Sequence, residues 1–435
     1  MAKAQGILDH PFGEAYAKRL GGLPGAATTA LDALRQRARV TLGTDGLPGP
    51  KREEWIFTPL RSLAKVPFIP AAAAEDIEVR DVPHDVPAIA GAHRIVLVNG
   101  VYRPDLSDQD FPGVGVSPLS VKSIDGRDVL GHLATPAAAP LVALNTAYMA
   151  EGIALHVNGA AKPIHLISIG AAGAEAVAFH PRVLIVAEAG SDLTLVETHV
   201  GLPGQPYFSN PVTEILVNPG ATVRRYVDVS EDVDAFHLST TAVAVAEDAA
   251  FEAFNLGLGG ALVRQETHVA FAGEKATAKL HGAYALSGSS HHDITTVIDH
   301  HVPSCTSNQV VKGVVADQSH GVYQGRIHVA RDAQKTDARQ LHKALFLNRG
   351  PKVDCKPELE IYADDVQCAH GAATGEIDPN HLFYLLSRGI DPERARNLLV
   401  EAFLADAVNE ISDETVRDVF VARIDGWLKK RGVQA

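Results

Sequence analysis

The chain has 435 residues, too many for one ordinary compact core, so two or three domains or one elongated repeat are expected. Its 52 Asp and Glu outnumber 39 Lys and Arg, which argues against non-specific binding to nucleic acid or to an anionic membrane. Three cysteines (Cys305, Cys355, Cys368) are too few for a disulfide framework or a four-thiolate cluster, and neither a signal-like apolar start nor a run of about 18 apolar residues is present. A soluble, reduced, cytoplasmic protein is expected.

Residues 1–70 read as helical. Leu31, Leu34, Ala38 and Leu42 recur at helical spacing within Ala27 to Leu42, with Thr28 or Thr29 as the cap. Gly43 to Pro50 is rich in breakers. Lys51-Arg52-Glu53-Glu54-Trp55-Ile56-Phe57-Thr58-Pro59-Leu60 is amphipathic, with Trp55 as its aromatic anchor. Ala71 to Pro87 reads as a linker, rounding off an N-terminal helical domain and linker over residues 1–90.

From Arg94 the period changes. Ile95 to Val98 is a short apolar strand, a helix is expected near Val142 to Ala150, and strands dominate from Gly152 to about Val329. Val263, Gln265, Thr267, Val269 and Phe271 alternate with Arg264, Glu266, His268 and Ala270. Turn signals begin at Glu188, Asn218, Ala246 and Ala272, spaced 30, 28 and 26 residues apart. A unit of two or three strands recurring without helices predicts a stacked solenoid, a right-handed parallel β-helix over 91–376. A C-terminal helical domain over 377–435 is punctuated by Asp378-Pro379 and Asp391-Pro392, each an N-cap followed by proline, and by Gly389 as a stop. The helix after Pro392 is expected to bury Ala395, Leu398, Leu399, Ala402 and Phe403. Ser412 is expected to cap a last helix with the stripe Val416, Val419, Phe420, Ile424 and Trp427.

Candidate chemistry lies in two stretches. In Lys356 to Ala372, Leu359, Ile361 and Ala363 alternate with Glu358, Glu360 and Tyr362, and Asp364-Asp365 makes a turn. A second strand from Val366 puts Val366, Cys368 and His370 on one face. A thiol and an imidazole so spaced form either a buried structural pair or two ligands of one soft metal or cluster. Two ligands cannot close a site, so any metal at Cys368 and His370 needs ligands from another chain. The second stretch runs from Ser290-His291-His292-Asp293 to Asp299-His300-His301 and could suggest a zinc or dinuclear centre. Adjacent histidines on a strand face opposite ways, however, so at most one of each pair can line a single site. No phosphate-binding loop and no nucleophile elbow occurs, and Gly257 to Gly260 reads as a loop.

The string KPELEIYADDVQCAHGA, followed by Gly375 to Asp378 and Leu382 to Ile390, resembles the C-terminal signature of the SufD branch of the SufB/SufD family. That family comprises scaffold subunits of the SUF iron–sulfur cluster assembly complex. Lys51 to Leu60 is similar to its N-terminal K-x-E-x-W-x-[YF]-T-P-L motif, and Ser319 to Val329 and Ala333 to Leu347 continue the resemblance. It runs from Lys51 to about Phe403 and is strongest from Val310. SufB-type chains carry Glu-His-Glu-Ala where this chain has Cys368-Ala369-His370-Gly371-Ala372.

The resemblance implies a parallel β-helix and a scaffold rather than an enzyme. It also implies pairing with a SufB-like paralogue through the β-helix ends, and a SufC-like ABC-type ATPase bound by the C-terminal helices. A transient iron–sulfur cluster in the complex would involve His370, with no cofactor held tightly by the isolated chain, which could form a homodimer. A flavin is associated with such complexes, although this chain has no flavin fingerprint. Two rivals stand beside this reading. An exported-type β-helix enzyme acting on polysaccharide would need clustered carboxylates, which are scattered here. A His-cluster metal-dependent hydrolase would need a stoichiometric metal.

Overall fold

A computed structural model describes residues 12, 13, 16, 18, 29–49, 51–73, 77–119, 130–137 and 139–432. Thr28, one of the two expected caps, lies outside them. Two long sheets face each other. Sheet 1 contains the parallel series from Gly152–Val157 through Arg182–Ala187, Val212–Val217, Phe236–Val245, Leu262–Phe271, His291–His300 and His320–Val329 to Lys352–Ile361. Sheet 2 runs in parallel from His93–Val98 through Ile164–Gly170, Asp192–Gly201, Thr222–Ser230, Ala250–Gly257, Thr277–Leu286, Thr306–Val315 and Asp337–Phe346 to Gln367–Glu376. The chain alternates between the sheets, so each pair of strands is one coil of a parallel solenoid, as the turn spacing predicts.

Turn chemistry sets the coil length. Gly190 and Gly220 (both φ +68°), Asp248 (+53°), Lys275 (+57°), Ser304 (+62°) and Lys335 (+61°) all follow sheet 1 strands in left-handed conformation. Stacking then lets turns satisfy one another. Gly190 N donates to Pro219 O (3.0 Å), Gly220 N to Glu247 O (2.9 Å) and Asp248 N to Glu274 O (3.1 Å). Between the sheets, period two buries Ile185, Ile215, Val243, Val269 and Ile298 in one column and Leu195, Ala253 and Leu280 opposite. Among the described residues the apolar interior comprises 29 buried residues, most of them placed by this alternation and a few, such as Ala221, Ala249, Ala276 and Cys305, by the turns between strands.

The outward faces explain the helices. Here α1 is Thr29–Asp45, α2 Pro140–Tyr148, α3 Pro379–Ser387, α4 Pro392–Val408 and α5 Glu414–Gly432. The helical expectation for residues 1–28 lies mostly outside the described residues, and among the described residues between α1 and residue 70 short 3₁₀ turns at Glu53–Trp55 and Leu63–Lys65 occur in place of longer helix. Trp55, Leu60, Leu63 and Phe68 pack with Leu141 and Leu144 of α2 on Phe236, Leu238 and Leu262 of sheet 1. The Arg264 guanidinium lies 4.2 Å from the Trp55 ring centre and pairs with Asp293 at 2.5 Å, while the Thr58 hydroxyl donates to the same carboxylate. Lys51 to Leu60 is therefore a clamp on the outside of sheet 1. Within the stretch read as linker, Val79 is buried, with Ile77, Val82 and Val86 around it on Val96 and Ile167. Spaced aliphatic residues among Ala and Pro carry that packing.

Helices α4 and α5 cover the outside of sheet 2, where Tyr226, Phe254 and Val314 meet Val400, Leu404, Phe420 and Ile424. Two details differ from expectation. Helix α4 buries Ala395, Val400, Leu404, Ala407 and Val408, whereas Leu398, Leu399 and Phe403 are half-buried and Ala402 is exposed. Its apolar residues ring more than one face, so period alone does not choose the buried one. Asp413, not Ser412, caps α5 by accepting from Val416 N (3.1 Å), because the Ser412 hydroxyl is 3.2 Å from Tyr226 Oη. Asp378 and Asp391 cap α3 and α4 as predicted, and Gly389 ends α3 at φ +81°.

Candidate functional site at the open terminal coil

Every coil but the last is covered by its successor. Among the described residues, Lys352–Ile361 pairs only with His320–Val329, and Gln367–Glu376 only with Asp337–Phe346. The turn at Asp364-Asp365 carries the chain from sheet 1 to sheet 2, and the second strand begins at Gln367 rather than Val366. The register continues Ser307 and Ala338 into Cys368, and Gln309 and Gln340 into His370. Cys368 and His370 thus lie in the inward columns of the solenoid, where no further coil covers them. Cys368 is half-buried against the group of Ile327, Val329, Ala338 and Leu359, and His370 is exposed. Of the two readings left open, burial as a structural pair does not hold for His370.

Burial pushes the Cys368 thiol above its usual range, with the nearby Asp337 charge adding to it. Cys355, which no sequence signal marked, continues the inward column of Ile294 and Tyr323 on the other sheet at this same end. Its thiol is pushed up to about 11 by burial. Protonated thiols are poor ligands, since the thiolate does the binding. Among the described residues, Cys355, Cys368 and His370 do not form a group of three potential ligands within 4.8 Å.

The histidine-rich stretch is divided by its strand. His291 faces outward, with Nε2 3.1 Å from Thr58 Oγ1 and its ring 4.5 Å from that of His320. His292 and His300 face inward, where His300 Nε2 lies 3.0 Å from Ser307 Oγ. Asp293 is committed to Arg264. Burial holds His291 down to about 4, His292 to about 3 and His300 to about 4, so these rings are neutral at physiological pH.

Fold and site define the class as a parallel β-solenoid with one uncovered coil. Residues 169–403 match the family described as SUF system FeS cluster assembly, SufBD core domain, and residues 10–166 match the SufBD protein N-terminal region. The chain belongs to the SufB/SufD family of iron–sulfur cluster assembly proteins. It is 31% identical to the iron–sulfur cluster assembly protein SufD of Escherichia coli, covering 87% of this chain and 89% of that one. It is 30% identical to a SufBD family protein of Mycobacterium leprae (92% and 95% covered) and 29% identical to one of Synechocystis sp. (87% and 86%).

Proposed function

We propose that this chain is a SufD-type scaffold subunit rather than an enzyme, pairing with a SufB-like paralogue through its open coil. The observation that carries this reading is the pair of inward columns ending uncovered at Cys368 and His370. The two open edges also differ. The sheet 1 edge carries Pro357 and alternating charges at Lys352, Asp354, Lys356, Glu358 and Glu360, which are features that discourage strand addition. The sheet 2 edge, Cys368 to Gly375, has neither proline nor a formally charged residue and favours it. A partner docked there would bring the thiolate this end lacks beside His370, for a transient iron–sulfur cluster carried as cargo. A neutral imidazole is a more labile ligand than thiolate, which suits a cluster that is handed on.

Because His370 is exposed, His370→Ala should change stability by no more than about 0.5 kcal/mol. The variant complex should still assemble, with cluster formation, followed by its visible absorbance, reduced about tenfold or more. A normal rate of cluster formation would sink the proposal, and a large fall in melting temperature would return the residue to a structural role.

A SufC-like ABC-type ATPase is proposed to bind at α3. That helix has no buried residue, and it exposes Phe383 by 71%, Tyr384 by 58% and Leu386 by 38%. Deleting residues 378–435 would be ambiguous, because it strips the outside of sheet 2. The double substitution Phe383→Ala with Tyr384→Ala should instead weaken ATPase association about tenfold or more while leaving the melting temperature unchanged. Unaltered affinity in a titration would exclude α3 from the interface.

A further inference from the structure

A second cluster of metal-ligating side chains lies far from the open coil. Strand Asp192–Gly201 presents Glu197 and His199, strand Phe236–Val245 of the other sheet presents His237, and Glu231 follows strand Thr222–Ser230. His199, Glu231 and His237 are all buried, and one potential ligand atom from each lies within 4.8 Å of the others. The two imidazole rings are 4.7 Å apart and inclined by 69°.

Each histidine has one nitrogen near a carboxylate: His237 Nδ1 is 3.0 Å from Glu231 Oε1, and His199 Nε2 is 3.5 Å from Glu197 Oε2. Their other nitrogens, His199 Nδ1 and His237 Nε2, are buried without a hydrogen-bond partner among the described residues. Buried polar atoms are nearly always paired, so two orphans in one group call for an explanation. Charge points the same way. Arg225 holds Glu197 through two hydrogen bonds of 2.6 and 2.7 Å. No Lys or Arg pairs with Glu231 among the described residues, and Tyr207 Oη donates to its Oε2 at 2.5 Å. A buried carboxylate without a cation is costly unless it is paired or coordinates a metal.

We propose that His199, Glu231 and His237 form a binding site for one first-row divalent cation of the Zn2+ or Fe2+ type. Two imidazoles and a carboxylate are a donor set these ions accept, and each glutamate oxygen retains a free lone pair. Glu197 and Tyr207 act as positioning residues, one near His199 and one on Glu231, as outer-shell groups do around bound metals. The site is independent of the open coil.

The test uses the full-length chain carrying Cys355→Ser, Cys368→Ser and His370→Ala, so that ligands at the open end cannot contribute. After chelation and equilibration with Zn2+, or with Fe2+ under anaerobic conditions, about one equivalent of metal per chain is expected by elemental analysis. Adding His199→Gln or Glu231→Gln should weaken uptake about tenfold or more. Substituted Co2+ should show ligand-field bands without a thiolate charge-transfer band. As a guard against misfolded variants, anomalous diffraction from Zn2+-soaked wild-type crystals should place a peak among the three side chains. Uptake below about a tenth of an equivalent, equal uptake by the variants, or a peak elsewhere would overturn the site.

Discussion

Acidification from pH 7.5 to 5 is expected to lower the melting temperature steeply, well before the carboxylates titrate. Six histidines are buried and held neutral: His165, His180, His300 and His342 at about 4, and His281 and His292 at about 3. Burial is the main cause in each case. Their folded values lie below the roughly 6.5 of an unfolded histidine. Between those limits the unfolded chain binds more protons than the folded one, so stability is complete above pH 6.5 and falls as the pH drops towards 4.

Each group contributes a slope of at most about 1.4 kcal/mol per pH unit, so six acting together approach an upper limit of about 8 kcal/mol per unit. At His281 the nearby Lys279 charge adds to burial in holding the ring neutral. Glu197 and Glu266 obey the opposite sign. Burial alone would raise them, but Arg225 and Arg264 respectively hold each at about 2, so their contribution is lost only below about pH 4.5. Calorimetry from pH 8 to 5 should therefore show a plateau above 7 and a steep fall below 6.5. A flat profile down to pH 5 would mean that the histidines are not buried neutral.

The second large effect is expected at Arg182. This fully buried guanidinium donates to Glu214 Oε1 at 2.6 and 3.1 Å, to Asn145 Oδ1 at 3.0 Å, to Thr146 Oγ1 at 3.2 Å and to Ala134 O at 3.2 Å. Glu214 in turn accepts from the backbone N–H groups of Gly131 (2.8 Å), Leu133 (2.9 Å) and Ala134 (3.1 Å). The pair ties the segment around residues 131–134 and helix α2 to the outside of sheet 1. Arg182→Ala leaves a buried carboxylate without its cation and should destabilise the protein by about 3–5 kcal/mol. Combining it with Glu214→Gln should recover part of that loss, because the stranded charge disappears. Strict additivity in denaturant unfolding would show that the two side chains act separately.

Local chemistry made much of the architecture legible. Period-two alternation as in Val263 to Phe271, and turns recurring at coil length, follow from short-range rules of strand and turn, as do the Asp-Pro caps of α3 and α4. The Trp55 motif was readable as an anchor, but not as a clamp on Arg264, 209 positions later in the chain.

The sequence by itself determined a parallel solenoid with helical flanks, its family, and the strand face shared by Cys368 and His370, while the stacking register decided that this face points inward. Tertiary structure decided what lies next to what. His370 is exposed because, among the described residues, no further strand stacks on Gln367–Glu376. Cys355 belongs to the same end because stacking carries the Ile294–Tyr323 column into it. The buried phase of α4 was set by the sheet beneath a helix apolar on several faces. His199, Glu231 and His237 meet only because coil closure brings opposite sheets together around one interior, and no spacing in a linear chain encodes that distance.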